Sequence, residues 1–230
     1  MTNHRTFVVS CGASGSKVFS RFLYPGEDTR QAARRHLHNR NPQEAPVQAA
    51  RFVYLFSDPR DSVISFFQRR LTKHSNHGFA SQDGPRQEWE VAERDWVLRH
   101  LRNLGGNGDA VSGDWGLEEY LEYSREDVFR MEEHFCNWLA ATTREVLFVR
   151  YETLWQHEQD VIRHLGLPAD SRLPEFVPRA ADWQSQPPAV RDRLNRLYGG
   201  FAGRLAALPG LFDGSSPEAA AVRQAWAAAS

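Results

Sequence analysis

Apolar residues along this chain fall into two rhythms. Short apolar runs lie within residues 6–10, 52–56 and 145–150. Runs of that length, rich in Val, Phe, Tyr and Leu, predict strands buried on both faces. Between them apolar positions recur every three or four residues, which predicts helices. One helix is expected over residues 17–23, stopped near Pro25-Gly26. A second follows Asp58-Pro59, with Val63, Ile64, Phe67 and Leu71 on one stripe. Asp is a good N-cap, and Pro suits the first helical position. Residues 29–38 favour helix by propensity, although they hold few apolar anchors.

Ser124, with Asp127 three residues on, reads as the cap of a helix bearing Val128, Met131, Phe135, Trp138 and Leu139. His134 is expected on the polar side of that helix. Leu154, Val161, Ile162 and Leu165 mark the next helix, ended by Gly166 and Pro168. Pro187-Pro188 opens another with Val190, Leu194, Leu197, Tyr198 and Phe201 on one face, and Gly199-Gly200 should interrupt its end. Residues 216–229 read as an Ala-rich terminal helix. Buried strands separated by helices predict an α/β fold, a parallel sheet covered by helices on both faces in three layers, in one domain spanning residues 1–230. Residues 73–117 are Gly-rich and predict a lid or insertion around a helix near 87–103.

Two strand-to-helix junctions carry candidate chemistry. The first strand leads into Cys11-Gly-Ala-Ser-Gly-Ser-Lys17 and then a helix. Glycines let the backbone wrap a phosphate, and successive N–H groups plus the helix dipole hold it. The order is neither Gly-Lys-[Ser/Thr] nor Gly-x-Gly-x-x-Gly. Lys17 places positive charge at a helix start, which is unfavourable without an anionic partner. The second junction runs from Arg51-Phe-Val-Tyr-Leu-Phe56 into Ser57-Asp-Pro-Arg-Asp-Ser-Val-Ile-Ser65. A helix N-terminus at the end of a parallel strand is a ready anion site.

These segments resemble, in order, the signatures of the PAPS-dependent sulfotransferases, whose fold is P-loop-NTPase-like. Pro59, Asp61 and Ser65 match the family's Arg-x-Pro-x-Asp-x-x-x-Ser, which grips the donor's 3′-phosphate; Ser57 stands where the Arg belongs. Ser14, Gly15 and Ser16 match Ser-Gly-Thr of the 5′-phosphosulfate loop. Ala13 replaces that loop's Lys, and Val18 replaces the Trp flanking the adenine. Phe148-Val-Arg-Tyr-Glu-Thr-Leu154 resembles the family's strand ending in Arg-Tyr-Glu-Asp-Leu, which implies that Tyr151 lies beside the adenine. Phe176-Val-Pro-Arg179 is similar to the segment that closes over the 3′-phosphate.

The resemblance implies sulfuryl transfer from PAPS to a hydroxyl or amine, leaving adenosine 3′,5′-bisphosphate, with no metal required. The donor site implied is Ala13, Ser14, Gly15, Ser16, Lys17, Val18, Arg60, Ser65, Tyr151 and Arg179. Arg60, Arg69, Arg70 or Arg179 is expected to cover for the charge lost at Ser57. Lys17 is expected to supply the charge that Ala13 lacks at the reacting group. Arg34-Arg-His-Leu37 lies where the family carries its Lys-Thr-His-Leu, so His36 is the expected general base and His38 the second choice. The alternatives are a sulfotransferase-like protein that binds a nucleotide without catalysis, and a nucleotide kinase with a degenerate P-loop.

Composition narrows the partners. Net charge is −1 over 230 residues, which argues against broad nucleic-acid binding. Cys11 and Cys136 form no Cys/His cluster, so a disulfide framework or structural zinc is not expected. The first apolar run is too short for a signal peptide, and no segment approaches the roughly 18 apolar residues of a membrane span. A cytoplasmic enzyme acting on a small-molecule, glycan, lipid or peptide acceptor is the resulting expectation.

Overall fold

The computed structural model describes residues 6–23, 36–45, 51–76, 96–106, 110–111, 115–176 and 179–228. Its strands are β1 (Phe7–Val9), β2 (His36–Leu37), β3 (Phe52–Phe56), β4 (Val146–Arg150) and β5 (Leu211–Asp213). They form one sheet in the order β2-β1-β3-β4-β5. The first four strands are parallel, and β5 runs antiparallel to β4. The all-parallel expectation is therefore corrected at one edge. β5 is three residues long and only its central Phe212 is buried, so it gives no apolar run to read. Phe212 stacks on Phe148 with ring centroids 4.8 Å apart, which fastens that edge.

Eight α-helices are described: α1 (Ser16–Leu23), α2 (Pro59–Asn76), α3 (Trp96–Asn103), α4 (Leu117–Tyr123), α5 (Met131–Leu139), α6 (Glu158–Leu165), α7 (Pro188–Ala206) and α8 (Pro217–Ala228). The period-two pleat sorts the core. Val8, Val53, Leu55, Leu147 and Val149 face Phe19 of α1 and Val161 of α6. Phe7, Val9, Phe52, Tyr54, Phe56 and Phe148 face the opposite cluster, fed by α2, α3, α4, α5, α7 and α8. Each fully buried Phe or Leu contributes about 1.5–3 kcal/mol. The result is an α/β fold, helices on both faces of a mostly parallel sheet.

Several expectations are corrected. His36 and Leu37 are a strand, paired with Val8 and Val9, where a helix was expected over 29–38; residues 29–35 of that segment lie outside the described residues. Ser124 closes α4, its N–H bonding Tyr120 O, and the next helix starts only at Met131. Asp127 still caps that helix, accepting Met131 N–H at 2.6 Å and Glu132 N–H at 3.3 Å. α7 runs unbroken through Gly199 and Gly200, because Tyr198, Phe201 and Ala202 keep its face buried on both sides of the pair. The Gly-rich lid falls largely on residues 77–95, 107–109 and 112–114, which lie outside the described residues. Among the described residues no helix is long and apolar enough to cross a membrane.

Candidate functional site

Parallel pairing puts the carboxyl ends of β1 to β4 along one edge of the sheet. The chain leaves β1 toward β2 and leaves β3 toward β4, so the β1/β3 boundary is a topological switch point, where α/β sheets bind ligands. The loop after β1 turns sharply there. Gly12, Ala13 and Gly15 have φ of 103°, 54° and 75°. Ala13 in the left-handed region costs about 1–2 kcal/mol, which glycine avoids. Among the described residues the N–H groups of Ala13, Ser14 and Gly15 have no hydrogen-bond acceptor. Ser14 Oγ is fully buried and equally without a partner. Donors left open in successive loop residues at the start of a helix are the kind of group that can hold an anion.

A cation reaches the same loop through Tyr151. The Arg179 guanidinium lies 4.5 Å from the centroid of the Tyr151 ring. Its side chain is 13 % exposed and its nearest carboxylate oxygen, on Glu152, is 3.8 Å away. Nε, Nη1 and Nη2 are buried without a hydrogen bond. The Tyr151 ring in turn rests on Gly15: a Cβ there would stand 2.0 Å from Tyr151 Cε2. Only glycine permits that approach. Burial raises the Tyr151 phenol above its ordinary range, with Arg179 pulling the other way. Burial likewise pushes the Cys11 thiol to about 12, so it stays protonated and is no nucleophile.

Histidines back the loop. Ser10 Oγ meets His36 Nε2 at 3.2 Å and Ser16 Oγ at 3.2 Å, and accepts the Gly12 N–H. His38 Nδ1 donates to Ser10 O at 2.8 Å, and His100 Nε2 donates to Cys11 O at 3.0 Å. His134 is fully buried rather than on a polar face. Its Nδ1 pairs with Tyr54 OH at 2.8 Å, and burial lowers its pKa to about 3. Among the described residues no cluster of His, Cys, Asp or Glu is arranged to hold a metal.

The second junction is occupied by its own side chains. Asp58 caps α2, accepting Arg60 N–H at 2.9 Å. Both Asp58 oxygens also take the Arg60 guanidinium, at 2.9 and 2.6 Å. Arg60 further donates to Asn195 Oδ1 at 2.7 Å and stacks 3.6 Å over the Trp183 ring. Arg60 is thus tied to α7 and the Trp183 segment. Asp61 accepts the Trp183 N–H at 2.8 Å, and burial raises its pKa to about 6. Ser57 is buried beside Ser62, their hydroxyls 3.2 Å apart. Ser65 lies two turns into α2, half-buried and without a described hydrogen bond.

Of the residues expected at the donor site, Ala13, Ser14, Gly15, Ser16, Tyr151 and Arg179 converge with His36. Arg60 does not, and the side chains of Lys17, Val18, Arg69 and Arg70 are outside the described residues. Ser10 and His100 were missed. Ser10 ends a strand and looks inert, while His100 reaches the loop from a helix 89 positions away. Compared with known proteins, the chain matches no family model, no curated protein and no solved structure.

Proposed function

We propose that this chain is a PAPS-dependent sulfotransferase of P-loop-NTPase-like architecture. The observation that carries the reading is the meeting, at the β1/β3 switch, of unpartnered loop N–H groups, the buried Ser14 hydroxyl and an Arg179 guanidinium without a hydrogen bond. All are donors or cations, and an anion is the ligand that satisfies them together. The order of the sequence signatures then favours a phosphosulfate over other anions.

In this reading the loop and Ser16 hold the 5′-phosphosulfate, Tyr151 flanks the base, and Arg179 neutralises phosphate charge. Lys17 adds charge at the start of α1. An acceptor oxygen forms the new S–O bond as the bond from sulfur to the bridging oxygen breaks. The bond electrons leave with the 5′-phosphate, and His36 takes the acceptor proton. No magnesium is part of the reading.

The test is calorimetry and turnover together. Adenosine 3′,5′-bisphosphate should bind without magnesium and more tightly than adenosine 5′-phosphate. With PAPS and a panel of phenols, sugars and amines the protein should release the bisphosphate. His36→Ala should lower turnover by roughly 10²–10⁴-fold and leave bisphosphate affinity near wild type. Equal affinity for the two nucleotides sinks the donor assignment. A nucleotide-binding protein without catalysis is the second reading, favoured by Ala13 and by an Arg60 already committed to Asp58; tight bisphosphate binding with no turnover on any acceptor selects it.

A further inference from the structure

The loop after β1 has two sides. Its N–H groups at Ala13, Ser14 and Gly15 are without partners, whereas its carbonyls at Ser10 and Cys11 are taken by imidazoles. A carbonyl can only accept, so each imidazole is the donor: His38 from Nδ1, His100 from Nε2. The two rings are in edge contact, their centroids 4.7 Å apart at 86°, and His36 continues the row 4.2 Å from His38. His100 is buried against Phe66 of α2 and fills the space above Gly12, where a Cβ would stand 2.2 Å from its Nε2.

Peptide planarity makes this arrangement directional. In a trans peptide the C=O of one residue and the N–H of the next point opposite ways. Fixing Cys11 C=O on His100 sends the Gly12 N–H the other way, where Ser10 Oγ accepts it at 3.2 Å. Fixing Ser10 C=O on His38 sets the preceding plane. The two planes entering the turn are thereby held before the left-handed residues begin. Without these donors, two buried carbonyls would seek other partners, and rotation of either plane would swing an N–H or a C=O toward the bound anion.

We propose that His38 and His100 are positioning residues of the anion loop, each holding one peptide carbonyl back so that the following N–H groups stay aimed into the crevice. The proposal rests on the reading of this loop as an anion site. It assigns neither histidine a part in proton transfer, which distinguishes them from His36.

Side-chain amides discriminate donation from ring packing. The Gln Nε2 can mimic the imidazole Nε2, and the Asn Nδ2 can mimic Nδ1. The experiment therefore compares His100→Gln with His100→Met, and His38→Asn with His38→Leu. Inorganic pyrophosphate and adenosine 3′,5′-bisphosphate are titrated separately by calorimetry, and folding is checked by thermal denaturation. The Met and Leu variants should bind both probes about tenfold or more weakly, and the amide variants should stay within about threefold of wild type, the span of one net hydrogen bond. Two independent pairs keep the test standing if one apolar variant does not fold. Unchanged affinity in a folded His100→Met or His38→Leu overturns the proposal. So does equal loss in the amide and apolar variants, which makes ring packing the role. Wild-type protein that binds neither probe overturns it together with the anion loop. Binding of pyrophosphate but not of the bisphosphate, with the amide pattern intact, supports the clamp and removes only the PAPS reading.

Discussion

Arg179→Met separates ligand binding from stability at one position. The Arg179 side chain is 13 % exposed, none of its guanidinium nitrogens has a hydrogen bond, and its ion pair with Glu152 spans 3.8 Å. Leaving buried polar atoms unsatisfied costs about 1–3 kcal/mol. The stack on Tyr151 returns about 0.5–2 kcal/mol, and a half-exposed ion pair adds at most about 1 kcal/mol. These contributions nearly cancel. Met keeps the aliphatic contact with the ring, so the variant without ligand should unfold within about 1 kcal/mol of wild type, and be more stable if the buried, unsatisfied guanidinium nitrogens dominate. The ligand-bound state is different. One or two charge-assisted hydrogen bonds to an anion, each worth about 1.5–3 kcal/mol, disappear. Bisphosphate affinity should fall at least about tenfold, and the ligand-induced rise in Tm should shrink accordingly. Urea denaturation of the apo proteins and calorimetry with adenosine 3′,5′-bisphosphate supply both numbers. A variant that loses more than about 2 kcal/mol of apo stability while keeping wild-type affinity would refute the reasoning, because Arg179 would then be a structural cation.

Other expectations follow from single contacts. Gly15→Ala combines a φ of 75° with a Cβ 2.0 Å from the Tyr151 ring, so it should weaken nucleotide binding about tenfold or more; adding Tyr151→Ala should recover part of the stability loss in a double-mutant cycle, and strict additivity refutes the contact. Asp127 is raised from 3.8 to about 6, chiefly by burial, so the folded state holds a proton that the unfolded state has released. Stability should therefore fall as pH rises from about 4 to 6, with Asp61, also raised to about 6, adding to the slope. Asp127→Asn should flatten that slope and gain up to about 3 kcal/mol at pH 7, read by denaturation across pH; a steeper slope or a loss at pH 7 contradicts it. Arg150 Nη2 reaches Leu205 O at 2.6 Å and Leu208 O at 2.7 Å, closing the C-terminus of α7. Arg150→Met should cost about 1.5–3 kcal/mol in urea denaturation, and a loss below about 0.5 kcal/mol speaks against that cap.

The main strands were legible because each is an apolar run buried on both faces. The Asp58-Pro59 start of α2 was legible because capping chemistry is local. β2 and β5 were not, since strands of two and three residues carry no period and exist only by pairing with β1 and β4. Ser124 misled because a Ser followed by Asp127 suits a cap, yet the chain ends one helix there before starting another. His134 misled because a lone histidine on a helix carries no mark of its partner, and Tyr54 lies 80 positions away. The same distance in sequence hid His100. His36 and His38 were named from the resemblance and placed on a helix; the structure instead alternates them along the end of β2, which brings both to the loop that β1 feeds.

The segment that most resembles a donor signature is the one whose side chains satisfy each other. Asp58 caps α2 and binds Arg60; Arg60 continues to Asn195 and Trp183; Asp61 takes the Trp183 N–H. Two carboxylates already complement the positive end of the α2 dipole, so an added phosphate there meets negative charge rather than open donors. Conversely, the β1 loop departs from its signature at Ala13 and Val18, yet holds the unmet demands: a left-handed alanine, three N–H groups, a buried hydroxyl, and Arg179 nearby without a hydrogen bond. Folding alone rewards none of these. Conformational strain and unpaired donors persist where the surrounding structure over-determines them, and they gather at functional sites. On the proposed reading the energetic weight of ligand binding therefore rests on the β1 loop and Arg179, with α2 as the scaffold that holds Trp183, and through Phe66 His100, in place.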